Sequence, residues 1–125
     1  MSTDHAAIEA VVQTYFDGLY EGDPEKLKQA FHPTSALTSV DVEGKLNVLP
    51  RDAWCDWVRT RPSSKSKGLE RRDEIVTIDI PGPTMAFVKV KCQIPPRYFT
   101  DQLSLLKIDG RWQIAQKVFQ TETRA

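Results

Sequence analysis

The sequence predicts an α+β protein, with N-terminal helices packed on a strongly curved, mainly antiparallel sheet that forms a cone with an internal pocket. Three observations predict it. Apolar residues near the N-terminus recur at three- and four-residue spacing, the period of an amphipathic helix. From Asp73 onward they alternate, the period of a half-buried strand. Between the last two such runs sits Asp109-Gly110, a dipeptide that tolerates the positive φ angles of a tight hairpin. An amphipathic helix laid across a bent sheet leaves a cone, and the open end of a cone is a natural small-molecule pocket.

The elements follow in chain order. Ile8, Val11, Val12, Tyr15, Phe16 and Leu19 form one apolar stripe, which predicts a first helix with Ser2, Thr3 or Asp4 as cap and Gly22 as exit. Asp23-Pro24 reads as a cap and a first-position proline for a short second helix carrying Leu27, Ala30 and Phe31. Pro33 disfavours a helical residue before it, so that helix stops near His32. Thr34 to Val40 and Lys45 to Leu49 read as short strands around a turn near Glu43-Gly44. Pro50 opens a third helix with Trp54, Trp57 and Val58 on one face. Arg61 to Gly68 reads as an exposed, mobile loop. Asp73 to Ile80 is a strand with Val76, Ile78 and Ile80 on one face, broken by Pro81-Gly82-Pro83. In the next strand, Met85 to Ile94, the inward set is Ala86, Val88, Val90, Cys92 and Ile94, and Pro95-Pro96 ends it. Tyr98 to Phe119 is the closing hairpin.

The composition narrows the function classes. The 125 residues suit a single domain spanning residues 1–125, large enough to bury a core without disulfide or metal. Seventeen basic and seventeen acidic residues cancel, so no global field favours nucleic acid or an anionic membrane. No apolar run approaches the roughly 20 residues that span a bilayer. Met1 to Ala10 carries two acids and no cationic cluster, unlike a signal peptide, so the cytoplasm is the expected compartment. Cys55 and Cys92 stand apart, with only His5 and His32 as histidines, which is too sparse for a metal site. Buried, reduced thiols are expected. No phosphate loop or dinucleotide fingerprint is present, so no cofactor is expected.

The most informative polar residue lies in the closing hairpin. Asp101 shares parity with Phe99, Leu103 and Leu105, so its carboxyl stands among large apolar groups. Two readings fit: a wet strand end paired to a loop or cation, or a carboxyl in an apolar pocket. Tyr15, on the apolar stripe, is either core with a satisfied hydroxyl or a pocket donor. His32 offers the residue type that serves as a base near neutral pH; the other reading is a cap of the second helix. Lys117 shares parity with Ala115 and Phe119. If that parity faces inward, the lysine meets Asp101 or an anionic ligand; if Trp112, Ile114 and Val118 face inward, it lies on the surface. A single bulge inverts the assignment. Trp54 and Trp57 either cover the pocket mouth or belong to the core. Arg59, Arg61, Lys65, Lys67, Arg71 and Arg72, opposed only by Glu70, are either a solvated run or an attractor of an anionic substrate or acidic partner. Without an RNA-binding motif or net charge, they do not point to nucleic acid.

Tyr15, Gly22-Asp23, Phe31-His32-Pro33 and the run FTDQLSLLKIDGRWQIAQKV (Phe99 to Val118) together resemble the nuclear-transport-factor-2-like superfamily, which has a cystatin-like cone fold. The likeness runs from about Ala6 to Phe119 and is similar to the lumazine-binding-like branch, close to polyketide-cyclase and ketosteroid-isomerase relatives. The superfamily holds enzymes, binding proteins and association modules, so the fold alone does not carry an activity. The resemblance places Tyr15 where the isomerases carry an oxyanion tyrosine, and Asp101 where they carry a protonated aspartic acid that donates a second hydrogen bond. Their general base, a first-strand carboxylate, aligns with Ser39 or Thr38, so steroid-type isomerisation is not implied.

The expected function is therefore binding of a small hydrophobic or aromatic molecule, with proton-transfer chemistry of isomerase, dehydratase or cyclase type if the protein is an enzyme. Tyr15 and Asp101 would donate to an oxyanion, with His32 as base. The expected lining around them is Phe16 and Leu19 from the first helix, Trp54 and Trp57 from the third, and Val88, Phe99, Leu103, Lys117 and Phe119 from the sheet. A homodimer through the outer sheet face is expected from the resemblance. The alternative is a non-catalytic homodimeric ligand-binding or protein-association module.

Overall fold

The computed structural model describes residues 2–124. Helix α1 (Ser2–Glu21) and helix α2 (Pro24–Ala30) come first, then strands β1 (Ala36–Val40) and β2 (Leu46–Pro50), then helix α3 (Arg51–Thr60). The remaining strands are β3 (Glu74–Gly82), β4 (Met85–Ile94), β5 (Arg97–Ile108) and β6 (Arg111–Thr123). They form one curved six-stranded sheet in the order β2-β1-β6-β5-β4-β3. Only the β1–β6 pair is parallel; every other neighbouring pair is antiparallel. Helices on one side of an open, mainly antiparallel sheet are the α+β architecture expected.

Local chemistry explains the helices. Ile8, Val12, Tyr15 and Phe16 of α1 are buried at three- and four-residue spacing. Helix α1 already runs at Ser2, so Thr3 and Asp4 lie inside it, not at its cap. Asp4 instead accepts hydrogen bonds from Trp112 Nε1 and Lys107 Nζ, tying the helix to the closing hairpin. Gly22 ends α1 at φ 65°, and a Cβ there would lie 2.7 Å from Ser63 Cβ. Two constraints thus select glycine, a left-handed backbone and a close-packed loop. The Asp23 carboxylate caps α2, accepting from the N–H groups of Glu25 and Lys26.

The strand pairing shifts register at three places, between Ile75 and Thr77 and between Asp79 and Gly82 in β3, and opposite Ser104 and Leu105 in β6. In β3 a register shift between Ile75 and Thr77 turns Val76 out to solvent, while Ile75, Ile78 and Ile80 pack on the core. The strand also continues through Pro81 to Gly82, past the expected break, on the outer edge where a missing N–H is tolerated. In β6 Ser104 pairs with Gln116 but Leu105 pairs with Ile114, leaving Ala115 without a partner. That bulge puts Trp112 and Ile114 inward and then Lys117 and Phe119 inward as well, so each parity reading holds for one half of the strand. Val118 is left outside. At the hairpin tip Asp109 and Gly110 take φ 51° and 78°, as the dipeptide requires.

The loop between α3 and β3 is exposed at Arg61, Pro62 and Lys65 to Gly68, as expected, but it is anchored. Lys65 N–H donates to the Tyr20 carbonyl of α1, Leu69 N–H to Ser64, and Ser63 Oγ accepts from Ser66 N–H. Ser64 is buried. The Lys65–Tyr20 backbone bond and the Tyr20 hydroxyl, which donates to the Leu69 carbonyl, therefore dock this segment onto α1, and it becomes one wall of the cavity described next.

Candidate functional site

A cavity of about 560 Å³ opens between α1, α3, the docked loop and the concave side of the sheet, within the roughly 300–1,000 Å³ usual for small-molecule sites. Its apolar part comes from Leu19 on α1, Trp54, Trp57 and Val58 on α3, and Leu37, Leu49, Ile94, Phe99 and Phe119 on the sheet. Four cations also line it: Arg61 and Lys67 from the docked loop, Arg97 at the start of β5, and Lys117 from β6. No acid lines it among the described residues. Arg61 stacks its guanidinium 4.5 Å above the Trp57 ring, which holds the charge at the mouth.

Lys117 forms the innermost wall, and behind it lies a buried polar chain. Its Nζ donates to Tyr15 Oη at 2.8 Å, and Tyr15 O–H donates to Asp101 Oδ2 at 2.5 Å. Lys117 Nζ is also 3.8 Å from Asp101 Oδ2, and the two side chains are only 5% and 0% exposed. Cys92 Sγ adds a weak contact to Asp101 Oδ2 at 3.7 Å. Asp101 Oδ1 is buried with no partner. Three rings surround the ammonium: Phe119 at 4.6 Å, Tyr15 at 5.0 Å and Trp54 at 5.1 Å. A desolvated cation is thus held by aromatic faces and by one carboxylate, the combination a buried charge requires.

The sequence of β5 and β6 builds this chain directly. In register, Leu103 opposes Lys117 and Asp101 opposes Phe119, so the acid and the lysine sit one diagonal apart on the inner face. Tyr15 reaches them from α1, braced edge-on by Phe31 at 5.3 Å. Desolvation, then the Asp101 charge, raise the Tyr15 hydroxyl well above its ordinary range. The same two causes push the Cys92 thiol up to about 12. Both stay protonated donors.

The residues singled out from sequence fall into three groups. Leu19, Trp54, Trp57, Phe99, Lys117 and Phe119 line the cavity. Tyr15 and Asp101 meet each other but stand behind Lys117, and Phe16, Val88 and Leu103 are core residues that do not reach the wall. His32 is apart from both. Its backbone N–H donates to the Ile114 carbonyl, and its Nδ1 accepts from Thr34 N–H and lies 2.8 Å from Thr34 Oγ1, so it closes the turn after α2. Ser39, aligned with the isomerases' base, pairs with Asn47 and does not line the cavity. Sequence reasoning missed Leu37, Leu49, Ile94 and Arg97 as lining. The alternation of β4 already pointed Ile94 inward, but Arg97 carries no periodic signal. Cys55 and Cys92 are both buried and free. No helix among the described residues is long and apolar enough to cross a membrane.

The family model described as "Putative lumazine-binding" matches residues 3–120. The chain is 26% identical over 125 residues to aldolase FrzH of Cladobotryum sp, covering 98% of this chain and 95% of the relative. Among solved structures it is similar to an NTF2-like protein of unknown function from Shewanella baltica OS155, at TM-score 0.87 and 28% identity, over 97% of this chain and 95% of that one. A second, from Methylobacillus flagellatus KT, is also NTF2-like and of unknown function, at TM-score 0.84 and 29% identity over 98% and 95%.

Proposed function

We propose that this chain, which belongs to the "Putative lumazine-binding" family and has the NTF2-like cone fold, binds a small molecule with an aromatic or aliphatic body and an anionic or enolate-forming head. The lining carries this reading. Among the described residues, four cations, three hydroxyl side chains and no acid line a cavity whose other side chains are apolar, in a chain whose charges cancel overall. Such a wall raises the local concentration of anions and repels cations. A carbonyl oxygen placed at Lys117 Nζ meets a fixed ammonium in water-poor surroundings, where developing negative charge is stabilised most. That is proton-transfer chemistry of the isomerase, dehydratase or cyclase kind, with Lys117 at the wall and Tyr15 and Asp101 positioning it. The relative FrzH is an aldolase, and aldol chemistry also passes through an enolate or enamine, which supports a site of this type.

Trp54 and Trp57 on the wall supply the readout. 1-Naphthoate is expected to quench their fluorescence and to bind about tenfold more tightly than uncharged 1-naphthamide, with the difference shrinking as salt is added. Equal binding of the two, or binding of neither, overturns the reading.

The outer sheet face supports a second copy as partner. Val40, Leu46, Val48 and Val118 stand exposed and neighbouring on β2, β1 and β6, an apolar patch that a dimer would cover. Sedimentation is expected to show a dimer that Val118→Lys dissociates. A monomer in the parent protein removes this part of the proposal and leaves the pocket untouched.

A further inference from the structure

We infer that Lys117 is a covalent carbonyl-binding residue, whose amine condenses with the aldehyde or ketone group of an anionic substrate to form an iminium. This rests on the pocket reading and deepens it from holding an oxygen to forming a bond. Four observations carry it. Lys117 is the only cation on the wall that is almost fully buried; Arg61 and Lys67 are exposed and Arg97 is half-buried. Its Nζ donates one hydrogen bond among the described residues, to the Tyr15 oxygen, so its other N–H groups are not hydrogen-bonded. That acceptor leads straight to a carboxylate. The lining holds no histidine or carboxylate among the described residues, so a substrate carbon has no conventional base beside it. An iminium answers that lack, because it withdraws electrons far more strongly than a carbonyl and acidifies the neighbouring C–H.

The chain of bonds supplies the free amine without a net change of charge. One ammonium proton moves to Tyr15 oxygen as the Tyr15 proton moves to Asp101 Oδ2, which leaves a neutral amine and a neutral carboxylic acid. The vacant Asp101 Oδ1 gives that acid a second oxygen on which to carry the proton. Lys117 then turns its lone pair toward the carbonyl. The C–N bond forms, the C=O electron pair goes to oxygen, and a proton passes from nitrogen to that oxygen to give the carbinolamine. Tyr15 donates to the departing hydroxyl and is re-protonated from Asp101. Water leaves, the iminium carries one positive charge, and Asp101 is again a carboxylate. The product charge sits where the ammonium charge sat, inside the same three rings and beside the same carboxylate. The site that stabilises the resting lysine therefore stabilises the adduct too.

Borohydride trapping tests this on the intact protein. Phenylpyruvate and glyoxylate are each added at neutral pH with sodium cyanoborohydride, and modified lysines are located by peptide mapping. Lys117 is expected to gain the secondary-amine adduct about tenfold faster than any surface lysine with both probes. Glyoxylate is small enough to enter any opening, so its result does not depend on the fit of a larger ring. Labelling spread over exposed lysines, with Lys117 no faster, overturns the inference. If 1-naphthoate still binds in that case, the pocket reading stands and only the covalent step fails. Tyr15→Phe tests the relay. The titratable groups facing Lys117 are Tyr15 from α1, Cys92 from β4 and Asp101 from β5, with Arg61, Lys67 and Arg97 on the same cavity. Trapping in that variant is expected to fall about tenfold at neutral pH and to recover at alkaline pH, where hydroxide replaces the relay. A uniform loss at every pH is the mark of a merely structural tyrosine and overturns the relay.

Discussion

Lys117→Met and Asp101→Asn are each expected to destabilise the protein by about 3–5 kcal/mol, and the double variant to cost markedly less than the sum of the two. The two charged groups lie 3.8 Å apart with almost no solvent on either. Each is the other's main compensation for leaving water, so removing one strands a buried charge. Tyr15 lessens the loss on either side without replacing it, since a hydroxyl can donate to Asp101 or accept from Lys117 but brings no charge. Removing both leaves a neutral amide and a thioether among Phe119, Trp54 and Leu103, an environment that accepts them well. Urea unfolding of the four proteins at neutral pH, arranged as a double-mutant cycle, measures the coupling. Additivity within about 0.5 kcal/mol would mean that the two groups do not sense one another, and the account of the site would fall with it.

Stability is expected to fall steeply above about pH 9, for reasons located in the same cluster. Burial holds the Tyr15 hydroxyl well above its ordinary range and the Cys92 thiol at about 12. In the unfolded chain these groups titrate near about 10 and about 8.5. Above the unfolded values the unfolded chain has released protons that the folded protein keeps, so rising pH favours unfolding. Stability from this source is intact below about pH 8.5 and is lost progressively toward pH 12, at up to about 1.4 kcal/mol per pH unit for each group. Cys92 enters first and Tyr15 second. Urea midpoints between pH 7 and pH 11 would follow the decline. Cys92→Ala is expected to delay its onset, and Tyr15→Phe to flatten the part above pH 10. A flat profile, or variants that reproduce the parent slope, would contradict the burial of both protons.

Much of this site was legible beforehand because it is written in side-chain periodicity. Asp101 betrayed its burial by sharing parity with Phe99, Leu103 and Leu105, and the α1 stripe carried Tyr15 to meet it. The order of helices and strands was legible for the same reason. What periodicity does not encode is a change of backbone register. The shift in β3 that exposes Val76 and the one in β6 that turns Lys117 inward arise from which N–H meets which carbonyl. The docked loop escaped for a related cause, since its attachment runs through backbone groups of Lys65 and Tyr20 that every residue type possesses. Its Arg61 and Lys67 were visible within a charge run, but their place on the cavity wall was not. His32 shows the limit of residue type: of its two readings, base or cap, the local bonds to Thr34 match the second.

The unpaired Ala115 makes shape and chemistry separable by two small lesions. Deleting it would restore plain alternation from Ile114 through Gln116 to Lys117, so the amine would keep its inward heading while the strand lost the bend that an extra residue imposes. Lys117→Met does the opposite, keeping the bend and erasing the charge. A lineage needing a differently contoured chamber could therefore gain or shed one codon at this point without disturbing the reactive group. One needing a different reaction could exchange the lysine and inherit the contour unchanged.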